Sequence, residues 1–421
     1  MNRPIYRRVT ALAALSLLTG CGLGHQMLGL GSDDNNASLG QTGAAPSVFS
    51  YAVADEPQAA LVARQILNQG GNAADAAAAA GFALSVTLPS RAGLGGGGAC
   101  IIKMQDAKGN AQPPVALLFP PGAPSDGGGT RPAAVPTLAR GLLALQARYG
   151  QLPYASVIVP AERLAGGVPV SPALEADLQV VGNALLADPA AASVFGPSGS
   201  LLPTGANLVQ PDLVATFEVL RTQGVQGFYA GSFAQQFAAA ADAAGGGLSA
   251  ENLGDATPKF VPPVTSGAGD FQLAMLPTAN PAGQTLPASA AFEALDKNGG
   301  VVACAVTMNN LFGTGRIAPG TGILLAASPR AMPAPLLAAG IAYSPGGAMT
   351  FRAAATGTGQ AGAAQAASIA LANALAQNAA APVPEPGRAN VISCPKGVPG
   401  GEASCTASAD PRGQGLAAGG R

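Results

Sequence analysis

The sequence predicts an α+β protein in which antiparallel strands and helices are segregated into layers. Three observations point there. From Ser289 to Leu325 the chain reads SAAFEALDKNGGVVACAVTMNNLFGTGRIAPGTGILL, in which alternating apolar runs (Phe292 and Ala294; Val302, Cys304 and Val306) flank Asn298-Gly299, the dipeptide of a tight hairpin turn. Pro57 to Val86, Leu138 to Tyr149, Ala155 to Ala165, Leu213 to Gln223 and Phe233 to Ala244 carry apolar residues at three- and four-residue spacing. Pro258 to Leu276 reads as extended chain.

The N-terminal stretch has its own signature. Arg3, Arg7 and Arg8 precede the apolar run Ala11 to Leu18, and Leu18-Thr19-Gly20-Cys21 follows, so residues 1–20 read as a secretory signal peptide. The run is shorter than the roughly 20 residues of a membrane span. Leu18 to Cys21 resembles a bacterial lipobox; by that resemblance Cys21 is the lipidated first residue of a mature lipoprotein facing the periplasm, expected at the outer membrane. A plain cleaved signal leaving a free Cys21 is the other outcome. Residues 21–47, rich in Gly, Ser, Asp and Asn, read as a flexible tether.

An ordered region is expected over 48–276. It opens with two helices joined at Gly70-Gly71-Asn72, the second built of small residues that imply close packing. Gly95 to Gly98 is not followed by Lys-Ser/Thr, so it is read as close backbone passage rather than a nucleotide loop. Residues 277–288 are a linker, 289–380 a second ordered region, and 381–421 a Pro/Gly-rich tail expected to be disordered.

Composition narrows the chemistry. With 21 basic against 22 acidic residues there is no electrostatic case for nucleic acid. The only histidine is His25, which excludes Ser-His-Asp triads, Cys-His pairs and polyhistidine metal sites; no metal and no cofactor is expected. Cys394 and Cys405 are placed to close a small disulfide loop, whereas Cys100 and Cys304, in apolar strand-like runs, read as buried unreactive thiols. The loop holding Thr307, Asn309, Asn310, Gly313, Thr314 and Gly315 suits stabilisation of an oxyanion, and equally suits a glycine-rich turn.

GGNAADAAAAAGFALSVTLP followed by GLGGGG resembles the opening signature of the γ-glutamyltransferase (γ-glutamyl transpeptidase, glutathione hydrolase) family. The likeness continues through Val135-Pro136, RYGQLPYASVIVPAERLAGGVPVS, QPDLVATFEVLRTQGVQGFYAG, GGGLSAENL and LFGTGRIAPGTGILL. It implies a four-layer αββα sandwich of the N-terminal-nucleophile hydrolase type, with 48–276 as a large-subunit-like and 289–380 as a small-subunit-like region. Such enzymes cut themselves before a nucleophile whose freed α-amine, of ordinary pKa ~7.7–8.0, then serves as its base. Counting seven residues back from Asp296, as the family spacing implies, lands on Ser289; Thr285 requires a shifted register. Thr307 and Asn309 match the family's Thr-x-Asn, with Thr307 orienting the nucleophile and Asn309 contacting substrate, and Gly359 falls among the late oxyanion donors.

The departures matter as much. Ala290, Ala291 and Glu293 replace the second Thr, the His and the Ser of the nucleophile motif; Pro120 stands at the carboxylate-binding Arg, Ala331 at the amine-binding Asp, and Leu337-Ala338 at the Ser-Ser pair. Two readings follow: an amidohydrolase or acyltransferase with an altered site acting on a small amide or peptide, or an inactive relative serving as a lipid-anchored binding protein.

Overall fold

The computed structural model of the chain describes residues 49–106, 108–125, 128–255, 257–277, 289–331 and 337–420. The signal peptide, Cys21, the tether, Thr285 and the Ala288 side of the expected cleavage point lie outside the described residues.

In chain order, the first strands are β1 (Ser50–Ala54), β2 (Gly97–Lys103) and β3 (Val115–Phe119). A ribbon of β4 (Val168–Pro169) and β5 (Asn207–Leu208) lies among the helices, followed by β6 (Lys259–Val261), β7 (Val264–Ala268) and β8 (Phe271–Met275). Then come β9 (Ser289–Leu295), β10 (Val301–Thr307), the ribbon β11 (Ile317–Ala318) and β12 (Ile323–Leu324), β13 (Ala338–Tyr343), β14 (Phe351–Thr358), β15 (Arg388–Val398), β16 (Thr406–Ser408) and β17 (Leu416–Gly420). Two antiparallel sheets result, ordered β17-β1-β9-β10-β2-β3-β6 and β16-β15-β14-β13-β8-β7.

Alternation decides which face each residue takes. Ala290, Phe292, Ala294, Val302, Cys304 and Val306 join the apolar core under the helices. Leu295, Val301 and Ala303 meet Ile341, Ala354 and Ile392 of the second sheet in a core between the sheets. Helix Ala363–Leu375 covers the outer face of the second sheet through Ala366, Ala370 and Leu371. These layers are the expected αββα sandwich.

The outer helical layer is built on α1 (Pro57–Asn68) and α2 (Ala73–Thr87), followed by α3 (Pro89–Ala92), α4 (Leu138–Tyr149), α5 (Tyr154–Ala165) and α6 (Pro172–Val181). Every residue of α2 is buried. Its small side chains let neighbours approach: a Cβ on Gly81 would lie 2.7 Å from Leu142 Cδ1 and 3.1 Å from the Phe292 ring. An Asn72–Asp75 capping box starts this helix, and Asp296 accepts from the Ala73 amide at 3.1 Å, docking the helix on the β9–β10 turn. That turn is the expected tight hairpin, with a three-residue loop closed by the Asp296 amide on the Gly300 carbonyl at 2.9 Å. Asp296 gathers the Asn298 and Gly300 amides, both at 2.9 Å, and Gly299 alone of the Asn-Gly pair takes positive φ (80°).

Two expectations are overturned. Cys100 and Cys304 are opposite one another in the β2–β10 register and form a disulfide, because two alternating strands turn both side chains to the same face. The expected Cys394–Cys405 disulfide is present. The tail expected to be disordered folds over 381–420: β15 and β16 extend the second sheet, and β17 pairs along the whole of β1. Its Ala/Gly composition reflects crowding, since a Cβ on Gly419 would lie 2.4 Å from the Ser50 carbonyl oxygen.

Deleting residues 415–421 is therefore expected to uncover β1 and to remove the buried Leu416, lowering the thermal midpoint by more than about 5 °C or yielding insoluble protein. A dispensable tail would leave the midpoint unchanged in a melting curve.

Candidate active site

The strand register places Ser289, the first residue of β9, directly opposite Thr307, the last of β10, and Thr307 in turn opposite Gly97 of β2. All three are buried. The glycine run makes this crowding possible: a Cβ on Gly96 would sit 2.2 Å from the Thr307 carbonyl oxygen, and one on Gly97 2.1 Å from Thr137 Oγ1.

Beyond Thr307 the chain turns sharply. The Asn309 amide donates to Thr307 Oγ1 at 2.9 Å, and Asn309 itself, fully buried, has φ 61°. A non-glycine residue held in the left-handed region is uncommon and strained. Asn309 Nδ2 donates to the Ala327 carbonyl at 2.9 Å, which fixes the amide's orientation, since a carbonyl accepts only from the nitrogen. Oδ1 is left buried with no donor. The free atom is thus an acceptor, suited to an N–H group rather than to the oxyanion role expected of Asn309.

The two sheets are aligned at three places. Asp55 Oδ1 accepts from Asn390 Nδ2 at 2.8 Å; the Tyr51 hydroxyl donates to the Cys405 carbonyl at 2.7 Å; and a Cβ on Gly299 would meet the Val398 carbonyl oxygen at 2.8 Å. With β14 and β15 in register through Thr356–Asn390 and Thr358–Arg388, the ends carrying Thr358 and Arg388 lie at the Ser289 end of the sandwich. Gly359 follows Thr358 there, at φ 94°, where a Cβ would collide with the Pro386 carbonyl oxygen. Ser289, Thr307 and Asn309 are brought together on one sheet, and Gly359 stands at the same end of the facing one.

Asp55, Thr356 and Asn390, between the sheets, were not picked out as site residues by the sequence reading, and Glu293 was noted there only as a departure from the nucleophile motif. Asp55 brackets the start of β9: its amide donates to the Ala291 carbonyl at 3.0 Å and its Oδ2 accepts from the Ala291 amide at 2.9 Å. Burial pushes the Asp55 carboxyl above its ordinary range, against the opposing Asn390 hydrogen bond and the charge of Arg91. Arg91 is committed to Asp177 through a bidentate pair, Nε at 2.7 Å and Nη2 at 2.6 Å. Glu293 is buried, with neither carboxylate oxygen in hydrogen-bonding geometry, and the Thr356 hydroxyl is likewise unpartnered. Burial pushes Glu293 up to about 8; the nearby Thr356 hydroxyl and amide pull it down, and Asp55 adds to the rise. A charged residue interrupting a strand otherwise buried on both faces was the one sequence signal for Glu293.

Residues 59–286, more than half of the chain, match the model of the gamma-glutamyltranspeptidase family. The chain belongs to that family. It is 30% identical over 232 residues to glutathione hydrolase 3 of Arabidopsis thaliana, covering 52% of this chain and 36% of that protein. It is 34% identical over 216 residues to the glutathione hydrolase proenzyme of Escherichia coli, covering 46% of this chain and 36% of the relative. The match therefore spans well under half the length of either. In fold, cephalosporin acylase from Bacillus halodurans superposes over 91% of this chain and 97% of its own with a TM-score of 0.71 at 17% identity.

Within this family fold, Pro120 is exposed at the end of β3, and Ala331 is exposed as well, so neither replaces the charge expected there. Cys100 and Cys304, tied in their disulfide, are excluded as nucleophiles.

Glu293 generates a pH prediction. Its folded pKa of about 8 exceeds the ordinary 4.5, so the folded chain keeps a proton that the unfolded chain loses, and stability falls as pH rises from about 4.5 to about 8. Between pH 5 and pH 9 the wild type should lose up to about 4 kcal/mol more than Glu293→Gln in urea unfolding. Equal losses in the two proteins would show that Glu293 is ionised in the fold.

Proposed function

We propose that the chain is an N-terminal-nucleophile amidohydrolase or acyltransferase that matures between Ala288 and Ser289 and uses Ser289 as its nucleophile. The observation that carries this reading is the position of Ser289, opposite Thr307 at the end of β9, beside a strained, buried Asn309. The family's relatives include proteins named as proenzymes, which supports maturation by cleavage.

In maturation, the Ser289 hydroxyl oxygen attacks the Ala288 carbonyl carbon, the C–N bond breaks, and the acyl group moves to oxygen. Water then hydrolyses the ester and frees the Ser289 α-amine. In turnover that amine takes the hydroxyl proton as oxygen attacks the substrate's acyl carbon, then passes it to the departing amine. Water or an acceptor amine releases the acyl group. Thr307 orients Ser289, Asn309 Oδ1 accepts an N–H from the α-amine or the substrate, and the backbone at Gly359 polarises the scissile carbonyl. Asp55 holds the Ala291 amide and with it the register of the nucleophile's strand. The substrate is a small amide or peptide.

The chain is further proposed to be a lipoprotein facing the periplasm, anchored through Cys21. Two disulfides suit an oxidising compartment. The alternative, a lipid-anchored binding protein without catalysis, is favoured by Pro120 and Ala331, where charged substrate contacts would be needed.

Cys100 and Cys304 lie on opposite sides of the cleavage point, so the halves stay covalently joined until reduced. The wild type should run as one band on a non-reducing gel and two on a reducing gel, and Ser289→Ala as one on both. A wild type still uncut under reduction after long incubation sides with the binding protein. A chromogenic γ-glutamyl anilide should turn over at least about 100-fold more slowly than with a charged substrate clamp, because losing a bidentate guanidinium contact and its complementary carboxylate costs several kcal/mol. Turnover at an ordinary family rate, lost in Ser289→Ala, would contradict this.

A further inference from the structure

We propose that Asp55 and Asn390 form a clasp that positions the nucleophile, an inference that rests on the Ser289 reading above. Acting through Ala291, the pair holds the leading end of β9 once cleavage has freed it, and fixes that end against the sheet that leads to Gly359. The β1–β9 ladder ends at Ala54 and Phe292 and so stops short of Ser289. There the chain leaves the sheet, with Glu56 capping α1 and Pro57 opening it. A continuing strand would offer Ala291 both a backbone donor and a backbone acceptor. Asp55 supplies the donor from its amide, to the Ala291 carbonyl at 3.0 Å, and the acceptor from its side chain, Oδ2 taking the Ala291 amide at 2.9 Å. Ala290 and Ser289, beyond this bracket, are paired with Val306 and Thr307 of β10.

The second oxygen of Asp55 belongs to the other sheet. Its Oδ1 accepts from Nδ2 of the buried Asn390 at 2.8 Å. Asn390 stands opposite Thr356 in the β14–β15 register, and Gly359 comes directly after Thr358, the last residue of β14. One carboxylate thus takes an N–H from the nucleophile's strand and another from the strand beside the one that leads to Gly359. Two acceptors back to back are what a carboxylate provides and an amide does not.

Before cleavage the peptide bond from Ala288 restrains Ser289; afterwards Ser289 is a strand end, and strand ends open readily. The chemistry needs the Ser289 hydroxyl and amine held to within about 0.5 Å of their place relative to the donors at Gly359. The Tyr51 hydroxyl on the Cys405 carbonyl, and Gly299 against Val398, align the sheets toward the opposite end, where Tyr51 pairs with Leu295 and Gly299 lies in the β9–β10 turn. The Asp55–Asn390 hydrogen bond is the alignment set beside Ala291. Asp55 and Asn390 touch neither substrate nor the reacting atoms, and they act as positioning residues.

The test follows cleavage of the full-length chain, synthesised cell-free under disulfide-forming conditions, on reducing gels. Asp55→Ala leaves the Ala291 amide without its acceptor, and Asn390→Asp sets two carboxylates against each other. Each is expected to be cut at least about 10-fold more slowly than the wild type, at a temperature well below its own melting midpoint. Adding Asp55→Asn to Asn390→Asp restores one donor facing one acceptor, and is expected to return the rate to within about 3-fold of wild type. An Asn390→Asp rate equal to that of the wild type, or a double variant as slow as Asn390→Asp, overturns the proposal. Hydrogen exchange on the matured wild type decides the matter if the variants do not fold. The Ala291 amide is expected to be protected as well as those of Phe292 and Ala294, and exchange at least about 100-fold faster than theirs overturns the clasp. A wild type that is never cut takes down the Ser289 reading and the clasp's role in it, whereas a wild type that is cut while Asn390→Asp keeps pace takes down the clasp alone.

Discussion

Strand β9 has hydrogen-bonded neighbours on both sides, β1 from the N-terminal part of the chain and β10 from its own hairpin, and this double pairing is the constraint on which the site depends. Because side chains alternate, fixing β9 against both neighbours commits Ala290, Phe292 and Ala294 to the helical core and leaves Ser289 and Glu293 with the opposite sense. A slip of one residue would bury Glu293 under the helices and expel Phe292. The Asp55 bracket around Ala291, two residues from Ser289, reinforces that register from β1. Segments on both sides of residues 277–288 thus share one sheet, and the Cys100–Cys304 disulfide crosses the same boundary.

Much of this was legible in the residues. The α1–α2 corner, the fully buried alanine helix, the β9–β10 hairpin and the backbone crowding at Gly95 to Gly98 all appear where periodicity and glycine placed them. What was not legible depends on packing between distant segments. Leu416 to Gly420 has little intrinsic strand preference, and its strand exists because β1 offers a full edge of unpaired backbone groups. The disulfide between Cys100 and Cys304 needs a register that spacing of 204 residues does not reveal. Asp55 and Asn390 become partners only when the two sheets stack.

The space between the sheets is apolar at one end and polar toward Ser289. Tyr51, Leu295 and Val301 give way to Asp55, Glu293, Thr356 and Asn390, and the carboxyl groups are held above their ordinary range because burial outweighs the dipoles near them. A protein that keeps one unsatisfied carboxyl group, Glu293, and a strained asparagine at one end of a well-packed sandwich carries a cost there that packing elsewhere offsets, a pattern characteristic of functional sites.

The central claim is that Ser289 becomes a free N-terminus, with its α-amine beside its own hydroxyl. N-terminal sequencing of the shorter polypeptide released on reduction of purified protein tests it most directly. The account predicts a start at Ser-Ala-Ala-Phe-Glu; a start at Thr285 or at any other residue would contradict it.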